Sequence, residues 1–368
     1  MTVPFPLVFI AIMFGIPLTA AVLYAFLRGG PGLRRYIVAR IALTVPMVLI
    51  LGSLVFLLMR VIPGDPTDSD LFLQMGAEQR EQIREDLGLN DPLFIQYWTF
   101  LGDIITLDFG DSLTGSERPV LDEIGERFPA TMELVIPAAI VALMVGVWTG
   151  TAAARRRRSP TDLGLRLLSV AASALPLFWV GLMLQLIFGV ALGWAPVSGR
   201  IDPIVGIELD RITNLLVVDS VIQGNWETLQ SVALHLALPV ATIAFALSGT
   251  YLRLTRINVI ETLQQDYILA ARARGVTDRR VIYGYGLKNA MIPVVTIMGL
   301  QVAILLGGAV LTETVFSWPG MGRYLIERIF ARDFTAVQGG IVVFAFVVAI
   351  ASLMVDIIYS LVDPRIRL

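Results

Sequence analysis

The sequence predicts an all-α, polytopic membrane fold of about seven transmembrane helices, and three observations carry that prediction. The chain is 56% hydrophobic, against roughly 45–50% for soluble domains. Only 16% of it is charged, against about 25% in soluble domains, and the mean hydropathy is +0.76. The apolar residues also gather into runs of about 20, the length that crosses about 30 Å of hydrocarbon. So much apolar surface needs a hydrocarbon solvent.

These runs fall at Phe5–Leu27, Ile41–Met59, Met132–Ala153, Leu167–Leu192, Leu234–Leu254, Met291–Val315 and Val337–Leu361. Arginine placement orients them, because cytoplasmic loops carry an excess of Arg and Lys. Arg28, Arg34, Arg35 and Arg40 lie between the first two runs, and Arg155 to Arg158 follow the third. Arg253, Arg256, Arg272, Arg274, Arg279, Arg280 and Lys288 separate the fifth from the sixth, and Arg365 and Arg367 close the chain. Every second loop is basic, so the N-terminus is expected outside and the C-terminus inside. The long acidic stretch from Arg60 to Phe128 and the loop from Trp194 to Ala233 then face outward; Arg323, Arg328 and Arg332 weaken the bias in the last outer loop without reversing it. Met1 to Pro4 carry no basic side chain and the first run is as long as a full span, so it reads as a retained helix rather than a signal peptide.

Composition also excludes chemistry. Cysteine is absent and His235 is the sole histidine, which removes disulfides, thiolate metal sites and histidine-pair zinc motifs. The single lysine, Lys288, sits between Leu287 and Asn289, not in the Gly-Lys-Ser/Thr setting of a P-loop. ATP-driven work would therefore need a separate ATPase subunit. No G-x-S-x-G nucleophile turn occurs, and no basic domain suits nucleic acid. No cofactor is expected.

The most informative loop lies between the fifth and sixth runs. Asp266 is a plausible N-cap and Gly275 a natural left-handed stop, which predicts a helix of about two turns. Thr277 can cap a second helix, with Asp278 near its positive end. Ala270, Ala271 and Ala273 keep the first helix thin; Tyr267, Ile268 and Leu269 supply apolar knobs, and Arg272 and Arg274 cationic flanks. These features suit a docking helix, and equally a helix lying in the membrane interface with a solvated basic face.

Ala270-Ala271 followed by Gly275 resembles the E-A-A-x-x-x-G loop of ABC importer permeases, with Leu269 in place of the Glu. The string through Lys288-Asn289-Ala290 and Pro293 is similar to the dipeptide/oligopeptide/nickel branch. So are Val61–Pro66, Leu87–Pro92, Glu126–Thr131, Leu175–Gly181, Glu313–Gly320 and the ending Asp363–Arg367, in that order. The resemblance covers the chain from about Tyr36 onward and points to the first, B-type, permease of the pair. It implies a six-helix type I importer core with one extra N-terminal helix. The expected division is 1–30 for that helix, 31–60 for the first core helix, 61–129 for an extracytoplasmic loop domain and 130–368 for the permease domain, with a coupling loop over 255–290. The resemblance further implies a second homologous permease, two ABC ATPase subunits, an extracytoplasmic substrate-binding protein and a cytoplasmic-membrane location. It assigns ATPase coupling to Tyr267, Ala270, Ala271, Arg272, Arg274, Gly275 and Asp278. Peptides are the expected cargo; nickel complexes, glutathione and oligosaccharides are carried within the same branch. A secondary transporter working without an ATPase is the rival class.

Other residues carry two readings each. Gln301 and Gly299, with Gly307 and Gly308, make the sixth run small and polar, which suits either close helix packing or a polar passage. His235, Glu133 and Asp356 sit near span ends and read as locally hydrogen-bonded or ion-paired groups rather than proton relays. Pro319 to Phe330 reads as a short amphipathic helix.

Overall fold

The computed structural model describes residue 19 and residues 31–61, 76–86, 88–113 and 118–362. The expected first helix (save for Thr19), the acidic stretch 62–75, the closing string Asp363–Arg367 and the Asp356 side chain lie outside what the structure describes. Among the described residues the secondary structure is helical apart from one isolated bridge, Asp111 with Pro119. Five helices among the described residues are long and apolar enough to cross a membrane: Ile37–Val61, Val120–Arg155, Trp226–Thr262, Asp278–Val302 and Phe334–Met354. A bent pair, Pro160–Ala174 with Leu177–Ala191, would make a sixth span. The all-α polytopic fold expected from composition is the fold observed.

The chain divides into two compact units, Met1–Ala130 with Pro319–Met354, and Thr131–Trp318 with Val355–Leu368. In the first, α1 (Pro31–Val61) is followed by α2 (Ala77–Asp86) and α3 (Leu93–Thr106). The stretch read as an acidic loop is therefore partly helical. The next helix, α4 (Val120–Arg155), starts well before the expected Met132. Asp122 and Glu123 favour its positive N-terminus, and Val120, Ile124 and Phe128 bury one side of its first turns. At 1.5 Å per residue it is about 54 Å long, so its ends project beyond hydrocarbon about 30 Å thick.

The same unit includes α13 (Met321–Phe330), the expected short amphipathic helix, and α14 (Phe334–Val362). Val55 and Met59 of α1 pack on Val337 of α14. Phe56 meets Phe100 and Tyr97 of α3 with ring centroids 5.4 and 5.3 Å apart. Gly339 lets α14 approach closely: a Cβ there would lie 2.8 Å from the Phe109 side chain. Arg328 donates to Glu123 at 2.7 Å, and Ser112 donates to the buried Asp333 at 2.7 Å.

The second unit holds the rest of α4, then α5 (Pro160–Ala174), α6 (Leu177–Leu184, widening into π-helical turns over Gln185–Ala191), α7 (Leu216–Ile222) and α8 (Trp226–Thr262). The expected straight span Leu167–Leu192 is not formed. Leu175 precedes Pro176, which disfavours the α region, and it adopts φ −76°, ψ 132°. The two halves bend by 106° at that point. α5 opens on a capped turn, Ser159 Oγ accepting from Asp162 N at 3.2 Å with Pro160 as first residue. α8 opens on Asn225, whose Oδ1 accepts from Thr228 N at 3.1 Å.

Small residues set the packing here, as expected between helices in lipid. Gly146 and Gly150 of α4 lie directly against α8; a Cβ at Gly150 would come within 2.7 Å of the Leu252 carbonyl oxygen. Gly249 of α8 meets α5 in the same manner, 2.9 Å from the Ser169 carbonyl oxygen, and Ser169 Oγ donates to Gly249 O at 2.7 Å.

Candidate functional site

Beyond α8 the chain turns at Gln264–Gln265 and forms α9 (Asp266–Ala273), α10 (Asp278–Arg280), a π-helical segment Val281–Gly286, α11 (Leu287–Gly308) and α12 (Val310–Val315). α9 is the two-turn helix expected from Asp266 and Gly275. Its N-cap, however, is Gln265, and Asp266 occupies the first helical turn, where its charge favours the positive end. Gly275 has φ +76°. Its N–H bonds to Arg272 O at 2.9 Å, and Val276 N–H to Ala271 O at 3.2 Å. This pair of bonds is the Schellman closure, and it requires a left-handed residue where Gly275 stands. Thr277 occupies the cap position of α10, but its side chain makes no capping bond.

The closure determines which face of α9 is free. Ile268 and Ala271 are fully buried with Val281, flanked by Leu263, Val276 and Tyr285. Ile268 is therefore not a docking knob, and Ala271 does not thin the outer face. Both turn inward because the tight Gly275 turn folds Val276 and Val281 back over that side. Tyr267, Leu269, Ala270, Arg272, Ala273 and Arg274 remain exposed, with Leu269 55% accessible. The exposed face is thus apolar at Leu269, smooth at the alanines and cationic at its end. Arg272 Nε lies 3.8 Å from Asp278 Oδ1, and Asn289 of α11 donates to the Tyr267 hydroxyl at 2.8 Å.

The loop is tied to the spans behind it. Leu263 packs both in the cluster under α9 and in a second cluster of Ala154, Val259 and Ala290. Gly286 makes room for it, since a Cβ there would lie 2.9 Å from Leu263 Cδ2. Arg155, first of the arginine run, donates to the Tyr283 hydroxyl at 3.2 Å. Asp162 of α5, 1% exposed, receives Arg256 of α8 through Nε at 2.6 Å and Nη2 at 3.0 Å, and also accepts from Arg158 N at 3.0 Å. Leu263 thus joins the cluster under α9 to α4, α8 and α11, and Asp162 ties α5 to α8.

Residues 142–368 match the family described as the binding-protein-dependent transport system inner membrane component, and residues 33–135 match the N-terminal part of such membrane components. The chain belongs to this family of transport permeases. It is 39% identical over 337 residues to the di/tripeptide transport system permease protein DppB of Pseudomonas aeruginosa, covering 90% of this chain and 98% of that one. It is 36% identical to the oligopeptide transport system permease protein AppB of Bacillus subtilis, covering 90% and 99%. It is also 36% identical to the glutathione transport system permease protein GsiC of Salmonella typhimurium, covering 90% and 98%. This permease is accordingly a multi-pass inner-membrane protein.

Elsewhere in the permease, Gly299 is buried and Gln301 half-buried within α11. Glu133 does make the local pair expected of it, through a partner the sequence did not reveal. Arg200 donates to Glu133 through Nε at 2.7 Å and reaches Asn214 O at 2.6 Å through Nη2. Val217 N–H gives Glu133 a further bond at 2.6 Å, and the Arg200 guanidinium lies 6.0 Å from the Trp318 ring centroid. Burial pulls the Arg200 guanidinium below its usual range, and Glu133 opposes that fall. His235 Nδ1 hydrogen-bonds Ser231 O at 2.8 Å. Removing one partner of a buried pair typically costs about 3–5 kcal/mol, so Arg200→Met should lower the thermal stability of the purified permease clearly. Arg200→Met together with Glu133→Gln should recover part of that loss.

Proposed function

We propose that this permease is one of two homologous membrane subunits of an ATP-driven importer of short peptides, and that the exposed face of α9 seats in its ATPase partner. The observation that carries the reading is the α9 loop itself. A two-turn helix is closed by Gly275, anchored through Ile268 and Ala271, and presents Leu269, Ala270 and Arg272 outward. Such a rigid, small-faced projection suits insertion into a groove on a partner, and the packing through Leu263 transmits its movement to the spans. A second permease completes the passage, two ATPases bind the paired loops, and an extracytoplasmic binding protein delivers cargo. ATP hydrolysis belongs to the partner subunits, because Lys288 has no P-loop setting. The exposed apolar residues of α1, Leu43, Val45 and Ile50 among them, suit contact with lipid or with the second permease.

The proposed orientation has the α9 loop inside and residues 61–129 outside, with the permease domain over 130–368. Because the chain has no cysteine, single-cysteine variants report cleanly. In membranes holding this chain without the ATPase subunits, Leu269→Cys should react with a membrane-impermeant maleimide only in inside-out vesicles, and Asn90→Cys only in intact cells or spheroplasts. The reverse pattern would overturn the orientation. For the function, the complex captured on this chain should contain a homologous permease and ATPases, and reconstituted vesicles should take up dialanine only with ATP and the binding protein. Gradient-driven uptake by the chain alone would instead establish a secondary transporter.

A further inference from the structure

Two sides of α3 face the rest of the first unit. On one, Ser53 Oγ of α1 and the Tyr97 hydroxyl share a hydrogen bond at 2.7 Å, and Arg60 donates to Gln96 Oε1 at 3.0 Å through Nη2. A Cβ at Gly52 would lie 3.1 Å from Ile104 Cδ1. Contacts that pass from Arg60 with Gln96 back to Gly52 with Ile104 make α3 antiparallel to the last turns of α1, beside the apolar span Ile37–Val61. On the other, Gln96, Thr99 and Asp103, at steps of three and four, line a cleft with Phe334, Thr335 and Gln338 of α14. The polar side chains of α3 thus turn toward protein.

The side of α3 opposite the cleft is apolar and open. Phe94, Trp98, Leu101 and Ile105 follow at steps of four, three and four, which places them on one stripe. Phe94 is 70% accessible, Trp98 58% and Ile105 80%, and Leu101 is half-buried. The Phe94 and Trp98 rings meet edge to face with centroids 6.0 Å apart. For a helix in water this arrangement is inverted, since such a helix turns its polar side to solvent and its apolar stripe to the core. Burying one large apolar side chain is worth about 1.5–3 kcal/mol, which three exposed ones forgo in water and recover in hydrocarbon. Leu54, Leu57, Leu58 and Val61, on the same turns of α1, are apolar and exposed too; soluble surfaces seldom carry so much apolar area together. With 14 residues, α3 is about 21 Å long, too short to cross about 30 Å of hydrocarbon. An amphipathic helix of that kind, with Trp and Phe on its apolar side, suits the membrane interface.

We propose that α3 lies in the membrane interface at the Arg60 end of α1, with the Phe94, Trp98 and Ile105 stripe against lipid acyl chains and the polar side toward the cleft. The inference needs α1 to span the membrane and does not depend on what the permease carries. It is tested with nitroxide labels on Trp98→Cys and Ile105→Cys in the otherwise cysteine-free chain, with Asn90→Cys as the aqueous reference. Both positions are exposed, so the label displaces no packed side chain. The permease complex is reconstituted in vesicles of phosphatidylcholine and phosphatidylglycerol, and relaxation of each label by oxygen, which concentrates in lipid, is compared with relaxation by a water-soluble nickel chelate. Oxygen should act several-fold more strongly than the chelate at Trp98→Cys and Ile105→Cys, and the order should reverse at Asn90→Cys. Strong relaxation by the chelate at either stripe position would show a surface in water, open to a soluble partner, and would overturn the proposal. Weak relaxation by both agents would overturn it as well, because the stripe would then be covered by protein.

Discussion

Gly275→Val is expected to leave the permease inserted and assembled while reducing ATP-dependent uptake by about tenfold or more. A left-handed conformation costs an ordinary L-residue about 1–2 kcal/mol, and a β-branched side chain suits it least. No atom lies within 4 Å of the place a Cβ would occupy at Gly275, so the effect comes from the backbone and not from a clash. Relief of the strain opens the bonds to Arg272 and Ala271 that close α9, and Ile268 and Ala271 lose their fixed seat. Gly275→Asn should retain most of the uptake, since Asn tolerates the left-handed region. Uptake and ATP hydrolysis measured on the same vesicles check this. Hydrolysis should persist in the valine variant while transport falls, and equal transport by the Val and parent proteins would remove Gly275 from the coupling geometry.

The second large effect is expected at Asp162. Asp162→Ala leaves the Arg256 guanidinium, about one-fifth exposed, without its carboxylate and removes the acceptor of Arg158 N. Breaking such a pair costs about 3–5 kcal/mol. It also separates α5 from α8 at the end where the α9 loop attaches, so uptake should fall together with stability. The double variant Asp162→Ala/Arg256→Met should be less damaged than the two single effects added, because contacting residues couple by about 0.5–3 kcal/mol. Strict additivity of the melting temperatures would show that the pair does not act as a unit.

The legible part of the molecule was that governed by short-range rules. Hydropathy marked the long helices that the structure describes, and Asp266 to Gly275 predicted α9 because a helix stop and its glycine are neighbours in sequence. The inward turn of Ile268 and Ala271 was not legible. A two-turn helix has too few residues for its periodicity to reveal a buried face, and that face is created by Val281 beyond the turn. The bend in the expected span Leu167–Leu192 had a visible signal in Leu175-Pro176, but a window averaging apolar residues joins both sides of a proline. The pairs Asp162–Arg256 and Glu133–Arg200 join residues 94 and 67 positions apart. A single sequence shows each charge without its partner.

The central claim, that the exposed face of α9 is the contact with an ATPase, is tested most directly by cross-linking from single cysteines in the otherwise cysteine-free chain. Leu269→Cys and Ile268→Cys carry the same photoactivatable thiol reagent on adjacent residues that face opposite ways, one 55% accessible and the other fully buried. In membranes holding the whole transporter, Leu269→Cys should yield an adduct with the ATPase subunit, and Ile268→Cys should yield little or none. An absence of adduct from Leu269→Cys in a complex that hydrolyses ATP and transports would contradict the account, as would equal adducts from both positions.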